Sequence, residues 1–147
     1  MRHRVVKKTL GRTKDQREAL ISNLSSQLIE VGKINTTLAK AKAVRPKVEK
    51  LITKAVKAVK SEDKILKFNT VKLLRKSLRS ESAIRKLMDD VAPKFKDRPG
   101  GYTKIIKTGN RDGDNADTAR IELVSTEEEV KTKMKRKVVK KDEDKTK

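Results

Sequence analysis

Few side chains in this sequence could carry out covalent or metal chemistry. There is no cysteine, and the single histidine is His3. Thiolate nucleophiles, cysteine-ligated metals and a histidine-centred catalytic triad away from the N-terminus are therefore excluded. Asp112, Asp114 and Asp117 have the spacing D-x-D-x-x-D, which lacks the remaining ligands and the distal glutamate of a calcium-binding loop. We interpret them as turn-forming residues, and we expect no enzymatic activity, no metal and no cofactor.

Positive charge is the chemistry that the sequence does offer. It has 40 lysines and arginines against 20 acidic residues, a net charge of +20. A body with this charge needs counterions or a polyanionic partner, and a nucleic acid releases its condensed counterions when its phosphates are neutralised. An anionic membrane is the competing partner. However, no stretch has the length of a membrane span, and the N-terminus lacks the apolar region of a signal peptide. We therefore expect a nucleic-acid partner, no membrane partner and no small-molecule substrate.

The N-terminal arm, residues 1–14, is a basic stretch without an acidic residue. It holds six basic residues, and arginine can contact phosphate with two parallel hydrogen bonds or stack on bases. The alternative is a solvated charge run without a partner. The arm residues predicted to bind RNA are Arg2, His3, Arg4, Lys7, Lys8 and Arg12.

A second group of candidates lies where a long helical pattern begins. Thr36 and Thr37 offer hydroxyls, Lys40 and Lys42 offer charge, and the start of a helix offers backbone N–H groups to a phosphate. Lysines on the remaining faces of this helix are equally well explained by solubility.

Gly100-Gly101-Tyr102-Thr103 forms the third group. Gly101 allows close approach of a backbone, Tyr102 could stack on a base, and charge surrounds the stretch. A turn into a strand explains the glycines equally well, and the two interpretations are compatible. The surrounding basic residues predicted to bind RNA are Arg98, Lys104, Lys107 and Arg111.

Periodic apolar residues predict four helices that position these groups. A capping box at Thr13–Gln16 starts the first helix, whose stripe is Leu20, Leu24, Leu28 and Val31 and which Gly32 ends. The second runs from Ala41 to Val59, and Pro46 predicts either a kink, which we favour, or two shorter helices. The third begins at Ser61–Asp63 and has the stripe Ile65, Phe68, Val71, Leu74 and Leu78. The fourth runs from Ser82 to about Val91 and stops before Pro93.

Alternating patterns predict three short strands at 34–38, 102–107 and 118–124. The fold class is therefore α+β or α/β, with a small sheet of about three strands packed on three to four helices. We divide the chain into a basic arm at 1–14, an RNA-binding globular domain at 15–125 and a charged tail at 126–147. The tail lacks an apolar stripe and is predicted to be disordered.

Several ordered stretches resemble one known family. They are Met1-Arg2-His3-Arg4, Leu10-Gly11-Arg12, Arg17-x-Ala19, Asn23-Leu24, Thr36-Thr37-Leu38-Ala39-Lys40-Ala41-Lys42, Glu49-x-Leu51-Ile52-Thr53, Gly100-Gly101-Tyr102-Thr103-Lys104-Ile105, Arg111-x-Gly113-Asp114-Asn115-Ala116 and Ile121-Glu122-Leu123-Val124. Over roughly residues 1–125 the chain closely resembles the family of bacterial large-subunit ribosomal protein number seventeen. It departs from the common family pattern at Lys14-Asp15-Gln16, where members often have Ser-x-His, and at Ala43, where glutamate is common.

The resemblance implies a small sheet against helices, and assembly into the large ribosomal subunit of the cytoplasm. It also implies contact with large-subunit ribosomal RNA and neighbouring ribosomal proteins, on the solvent side near the exit of the nascent-chain tunnel. The residues that it implies for RNA contact are Arg2, His3, Arg4, Arg12, Arg17, Thr36, Thr37, Lys40, Lys42, Gly101, Tyr102 and Lys104. Arg45, on the same helix as Lys42, completes the predicted set.

Two other classes compete with a structural RNA-binding protein. An architectural DNA-binding protein shares the charge but should have a dimerising surface or a minor-groove wedge, and neither is evident. A nucleic-acid enzyme would need a cluster of carboxylates to hold metal ions, which the sequence does not offer.

Overall fold

The computed structural model of the chain describes residues 8–61 and 63–124. Four helical segments and a three-stranded sheet form the fold, which confirms the predicted class. The elements are α1 (Lys14–Val31), β1 (Lys33–Thr37), α2 (Leu38–Lys60), α3 (Lys64–Ser77), α4 (Glu81–Lys86), a π-helical turn (Leu87–Val91), α5 (Ala92–Lys94), β2 (Thr103–Asn110) and β3 (Asp117–Leu123). Residues 1–7 of the predicted arm and the whole predicted tail lie outside the described residues, and the division into arm, domain and tail stays a prediction.

The sheet is antiparallel, with the last strand in the middle. Its order is β1-β3-β2, and Ile34, Ile121 and Ile105 lie side by side across it. The first predicted strand is displaced by one residue, because Leu38 already begins α2. The hairpin between β2 and β3 is longer than predicted, since β2 runs on to Asn110 past an irregularity between Lys107 and Gly109.

Local signals place both ends of α1 where the sequence predicts them. The backbone N–H of Thr13 donates to Gln16 Oε1 at 3.4 Å, the return half of the capping box. Gly32 ends the helix at φ +85°, and its N–H donates to Leu28 O at 2.8 Å. The predicted stripe is wrong at its last residue, because Val31 is 66% exposed.

Helix α2 runs through the centre of the core. Val44, Val48, Ile52 and Ala55 are fully or almost fully buried along one side, and the inner face of the sheet packs on it. The helix is continuous through Pro46. The alternative of two shorter helices is therefore wrong. Pro46 lies on the exposed side, where water can replace the missing hydrogen bond.

Helix α3 contradicts its predicted stripe. Leu74 and Leu78 are buried, but Ile65 and Phe68 are 72% and 70% exposed. The first four residues of the predicted stripe are three positions apart. An α-helix has 3.6 residues per turn, so each step of three residues rotates about 60° less than a full turn. After three steps, from Ile65 to Leu74, the side chain has moved to the opposite side of the helix. The N-terminal half of the stripe therefore faces solvent.

The fourth helical segment continues past its predicted end. Ser80 caps α4, its side chain accepting from the N–H of Ala83 at 3.3 Å. The chain then widens into the π-helical turn, where Ala92 N–H donates to Leu87 O, and passes through Pro93 into α5. In the π-helical turn an N–H donates to the carbonyl five residues earlier instead of four. The α-helical hydrogen-bond pattern is therefore already interrupted immediately before Pro93, which has no N–H to donate. The predicted stop before Pro93 is therefore wrong.

A polar clamp joins the end of α1 to the start of α4. The carboxylate of Glu30 accepts hydrogen bonds from the hydroxyls of Ser80 and Ser82. Lys86 Nζ donates to the backbone carbonyl of Glu30 at 2.6 Å. The two hydroxyl bonds, chiefly that from Ser80, hold the pKa of Glu30 below its ordinary value.

Candidate nucleic-acid interface

The junction of β1 and α2 presents an open helix N-terminus. Thr37 is the N-cap in extended conformation, its side chain makes no capping hydrogen bond, and the first turn holds no acidic residue. The first N–H groups of α2 therefore keep their partial positive charge without an acidic neighbour in that turn. Lys40 is half-buried beside them, and Lys42 is exposed. This arrangement can bind a phosphate. Thr36 and Thr37 are consecutive in β1 and point to opposite faces of the sheet, and Lys40 and Lys42 lie on different sides of α2. RNA contact by these four residues stays a prediction.

The outer face of the sheet carries a second basic group. Lys33 and Lys104 lie on either side of Glu122 across the three strands, and Arg120 lies on the next row between Asn35 and Ile106. Lys104 Nζ is 3.1 Å from Glu122 Oε1. Arg120 Nε donates to Asn35 Oδ1 at 3.2 Å. We call Lys33, Lys104 and Arg120 the sheet-face cations.

Of these three, the sequence motifs indicate only Lys104. Lys33 and Arg120 lie far apart in the chain, and only the pairing of β1 with β3 brings them onto one face. The signal that could have found them is the alternation of the strands. Because Ile34 and Ile121 point into the core, the adjacent Lys33 and Arg120 must point to the opposite face.

The β2–β3 hairpin uses its arginine internally. Arg111 Nε is 3.0 Å from Asp114 Oδ1, and a second nitrogen of the guanidinium bonds the other carboxylate oxygen. The arginine hydrogen bonds, with help from the N–H of Ala116, lower the pKa of Asp114 to about 2. Lys107 is exposed on the same hairpin. Arg111 therefore organises the turn that carries it, and RNA binding by Lys107 and Arg111 stays a prediction.

The segment before β2 corrects one predicted contact. Tyr102 is 2% exposed, its ring lies 5.1 Å from that of Phe95, and its hydroxyl donates to Arg98 O at 3.1 Å. The prediction that Tyr102 stacks on a base is therefore wrong, because the ring belongs to the core. Arg98 Nε donates to Gly100 O at 2.9 Å and so helps to hold the turn. Gly101 is exposed at φ +65°, a conformation that favours glycine.

The described part of the arm is a tight turn rather than an extended chain. Arg12 N–H donates to Thr9 O at 3.2 Å, and the two residues between them have positive φ. Arg12 Nη1 donates to Leu10 O at 3.0 Å, and Arg17 Nη1 donates to Arg12 O at 3.3 Å. Both guanidinium groups are thus held by backbone carbonyls at the start of α1. Lys8 is exposed beside it, while Arg2, His3, Arg4 and Lys7 lie outside the described residues.

Arg45 belongs to a network that joins α2 to β2. Its Nε is 3.4 Å from Glu49 Oε1, and the same oxygen accepts from Thr103 Oγ1 at 2.9 Å. Thr103 is buried, so Glu49 satisfies a hydroxyl that water does not reach. Half-exposed Arg45 can still meet an anion.

Two other kinds of site are absent from residues 8–61 and 63–124. No three acidic or histidine side chains there converge as metal ligands. Within the same ranges, no helix has the length and apolar character needed to cross a membrane.

Comparisons with known proteins agree on one family. A family model described as ribosomal protein L17 matches residues 20–124. Large ribosomal subunit protein bL17 of Gemmatimonas aurantiaca is 48% identical over 124 residues, covering 84% of this chain and 98% of that protein. The protein of the same name from Neorickettsia sennetsu is 48% identical over 124 residues and is covered completely. That from Campylobacter lari is 48% identical over 125 residues, covering 85% of this chain and 100% of its own.

Proposed function

The chain belongs to the ribosomal protein L17 family, and from that premise we propose that it is a non-catalytic structural constituent of the large ribosomal subunit. The observation that carries this proposal is the match over residues 20–124, which spans almost the whole described body. We further propose that the protein keeps its place by binding ribosomal RNA. The net charge of +20 supports an RNA partner, because RNA supplies the phosphates that the body needs.

The proposed RNA-binding surface consists of the sheet-face cations and the start of α2. Thr37 connects the two groups, since it ends β1 and also caps α2. The cations would contact phosphates and fix the orientation of the body. The open N–H groups at the start of α2 would bind one further phosphate, with Lys40 and Lys42 beside it. RNA shape, rather than base identity, would then select the site.

Other predicted residues extend this surface. Lys8, Arg12 and Arg17 would continue it at the start of α1, and Lys107, Arg111 and Gly101 at the hairpin and the turn before β2. Arg2, His3 and Arg4 enter the proposal through the charge of the arm and the family resemblance, and Lys7 through the charge of the arm alone. The hydrogen bonds that Arg12, Arg17, Arg98 and Arg111 donate within the chain orient these side chains in advance, which reduces the entropy lost on binding.

Sedimentation of cell extracts tests the proposed function. The full-length protein, detected by antibody, should migrate with the large subunit after the two subunits are separated in low Mg²⁺. It should be present at one copy per particle and should stay bound in moderate salt. Recovery with chromosomal DNA, or release as free protein while other large-subunit proteins stay bound, would contradict the proposal.

A further inference from the structure

Helix α3 leaves an apolar surface uncovered. Ile65, Leu66, Phe68 and Leu73 are 72%, 39%, 70% and 46% exposed, and they account for four of the six large exposed apolar side chains among the described residues. Ile65 lies opposite Leu74, and all four lie within about half of the circumference of the helix. We call them the α3 apolar face. Exposed apolar side chains gathered in this way mark a surface that another molecule covers.

The charge around this face restricts what can cover it. Helix α3 has five basic residues and no acidic one. Lys72 and Lys76 lie between the apolar side chains, and Lys64 lies at their edge. Arg75, also at that edge, is paired with Glu81 at 2.7 Å. A covering surface therefore needs apolar side chains with carboxylates placed among them and at their edge.

Two other occupants fit the face less well. A second copy of this chain would place like-charged helices against each other in a protein of net charge +20. RNA would satisfy the lysines, and one base could stack on Phe68. Ile65, Leu66 and Leu73, however, have no aromatic face for a base to stack on, and a phosphate backbone offers little apolar surface to bury them.

We propose that the α3 apolar face is the docking surface for a neighbouring protein of the large subunit, through a segment whose apolar side chains are interspersed with carboxylates. This inference rests on the proposed function, because it places the partner in the same particle. It assigns protein contact to α3 and RNA contact to the sheet face and the start of α2. Helix α3 packs mainly on α2 and α4 and buries only Thr70 and Leu74 completely or nearly so. Docking would therefore add apolar burial that this helix lacks within its own chain.

The absence of cysteine makes a direct test possible, because one introduced thiol is unique. In Phe68→Cys the thiol replaces an exposed ring, so folding should be unaffected. In the matched control, Asp89→Cys, it replaces an exposed carboxylate that is poorly suited to an RNA contact. Both thiols should react with a maleimide at similar rates in the free full-length protein. In purified large subunits the thiol of Phe68→Cys should react at least about tenfold more slowly, and the control should change little.

A photo-reactive benzoylphenylalanine at position 68 identifies the molecule that covers the α3 apolar face. Irradiated subunits should give one cross-link to another ribosomal protein, and Lys72→Glu in the same chain should lower its yield. A cross-link to RNA or to a second copy would overturn the inference. So would an undiminished maleimide rate in subunits, or protection already present in the free protein. Absence of the chain from the large subunit would instead overturn the proposed function.

Discussion

Replacing the three sheet-face cations by glutamine should weaken RNA binding in a way that salt reveals. The variant Lys33→Gln, Lys104→Gln, Arg120→Gln removes three positive charges that lie on one face, although Glu122 offsets part of the charge of Lys104. The slope of log K against log salt is negative. Each phosphate that the variant no longer neutralises should reduce the magnitude of this slope by about 0.7 to 0.9. We therefore expect a slope shallower by about 2 to 3, and affinity on the order of 100-fold weaker near 0.15 M salt.

Stability should change little in this variant. Lys33 and Lys104 are exposed, and a surface ion pair such as Lys104–Glu122 stabilises a fold by at most about 1 kcal/mol. The matched control is Lys50→Gln, Lys54→Gln, Lys57→Gln, which removes three exposed lysines from α2. This control should reduce the magnitude of the slope by less than about 1, because these residues lie outside the proposed surface.

Fluorescence anisotropy with protein-free large-subunit RNA, measured between about 50 and 200 mM salt, gives both slopes. Glu122→Gln should change binding in the opposite direction, because it removes the acid beside two of the sheet-face cations. If the magnitude of the slope falls equally in the sheet-face variant and the α2 control, positive charge promotes binding wherever it lies. That result would contradict the proposed RNA-binding surface.

Further predictions concern the fold and the arm. Gly32→Ala places a Cβ at φ +85° and should lower the free energy of unfolding by about 1 kcal/mol in urea titration; an unchanged midpoint would mean that α1 ends differently. Leu87→Ala empties a fully buried position and should cost about 2–5 kcal/mol in the same assay, whereas a loss below about 1 kcal/mol would indicate a loosely packed core. The carboxylate of Asp114 stabilises the folded hairpin above its ordinary pKa of 3.8, and this contribution should disappear as the pH falls towards about 2. Carboxyl NMR should show that titration, and Arg111→Gln should move the midpoint back towards 3.8. Deleting residues 2–8 should impair incorporation into the subunit more than it lowers the melting temperature of the free protein; equal losses would make the arm part of the fold.

Features governed by neighbouring residues are predicted well from the sequence. The capping box at Thr13 and the terminating Gly32 depend on contacts within one helical turn, so local sequence suffices to place both ends of α1. The strands are predicted to within a few residues because alternation is also local. The antiparallel order β1-β3-β2 could not be predicted in this way, since it depends on which strand best covers α2.

Features that depend on distant packing are predicted poorly. Tyr102 lies among basic residues in sequence, and only the fold shows that its ring packs on Phe95. Strand alternation can indicate which face Arg120 occupies, but only the pairing of β3 with β1 places it beside Asn35. On α3, apolar residues three apart suggest one face, but their rotation around the helix takes Ile65 to the side opposite Leu74. Burial against the partner proposed for the α3 apolar face, rather than within the chain itself, would account for this pattern.

The central position of β3 has a consequence for how the molecule forms. Ile34 pairs with Ile121, and the residues between them include α2 and α3. Helices form from local contacts and can appear early, whereas closing so long a loop is entropically costly and slow. During synthesis, β1 can pair only after β3 has emerged from the ribosome that is making the chain. The face that joins Lys33 to Arg120 therefore cannot exist in a partly made chain, so a nascent copy would lack the proposed RNA-binding surface until its sheet is complete.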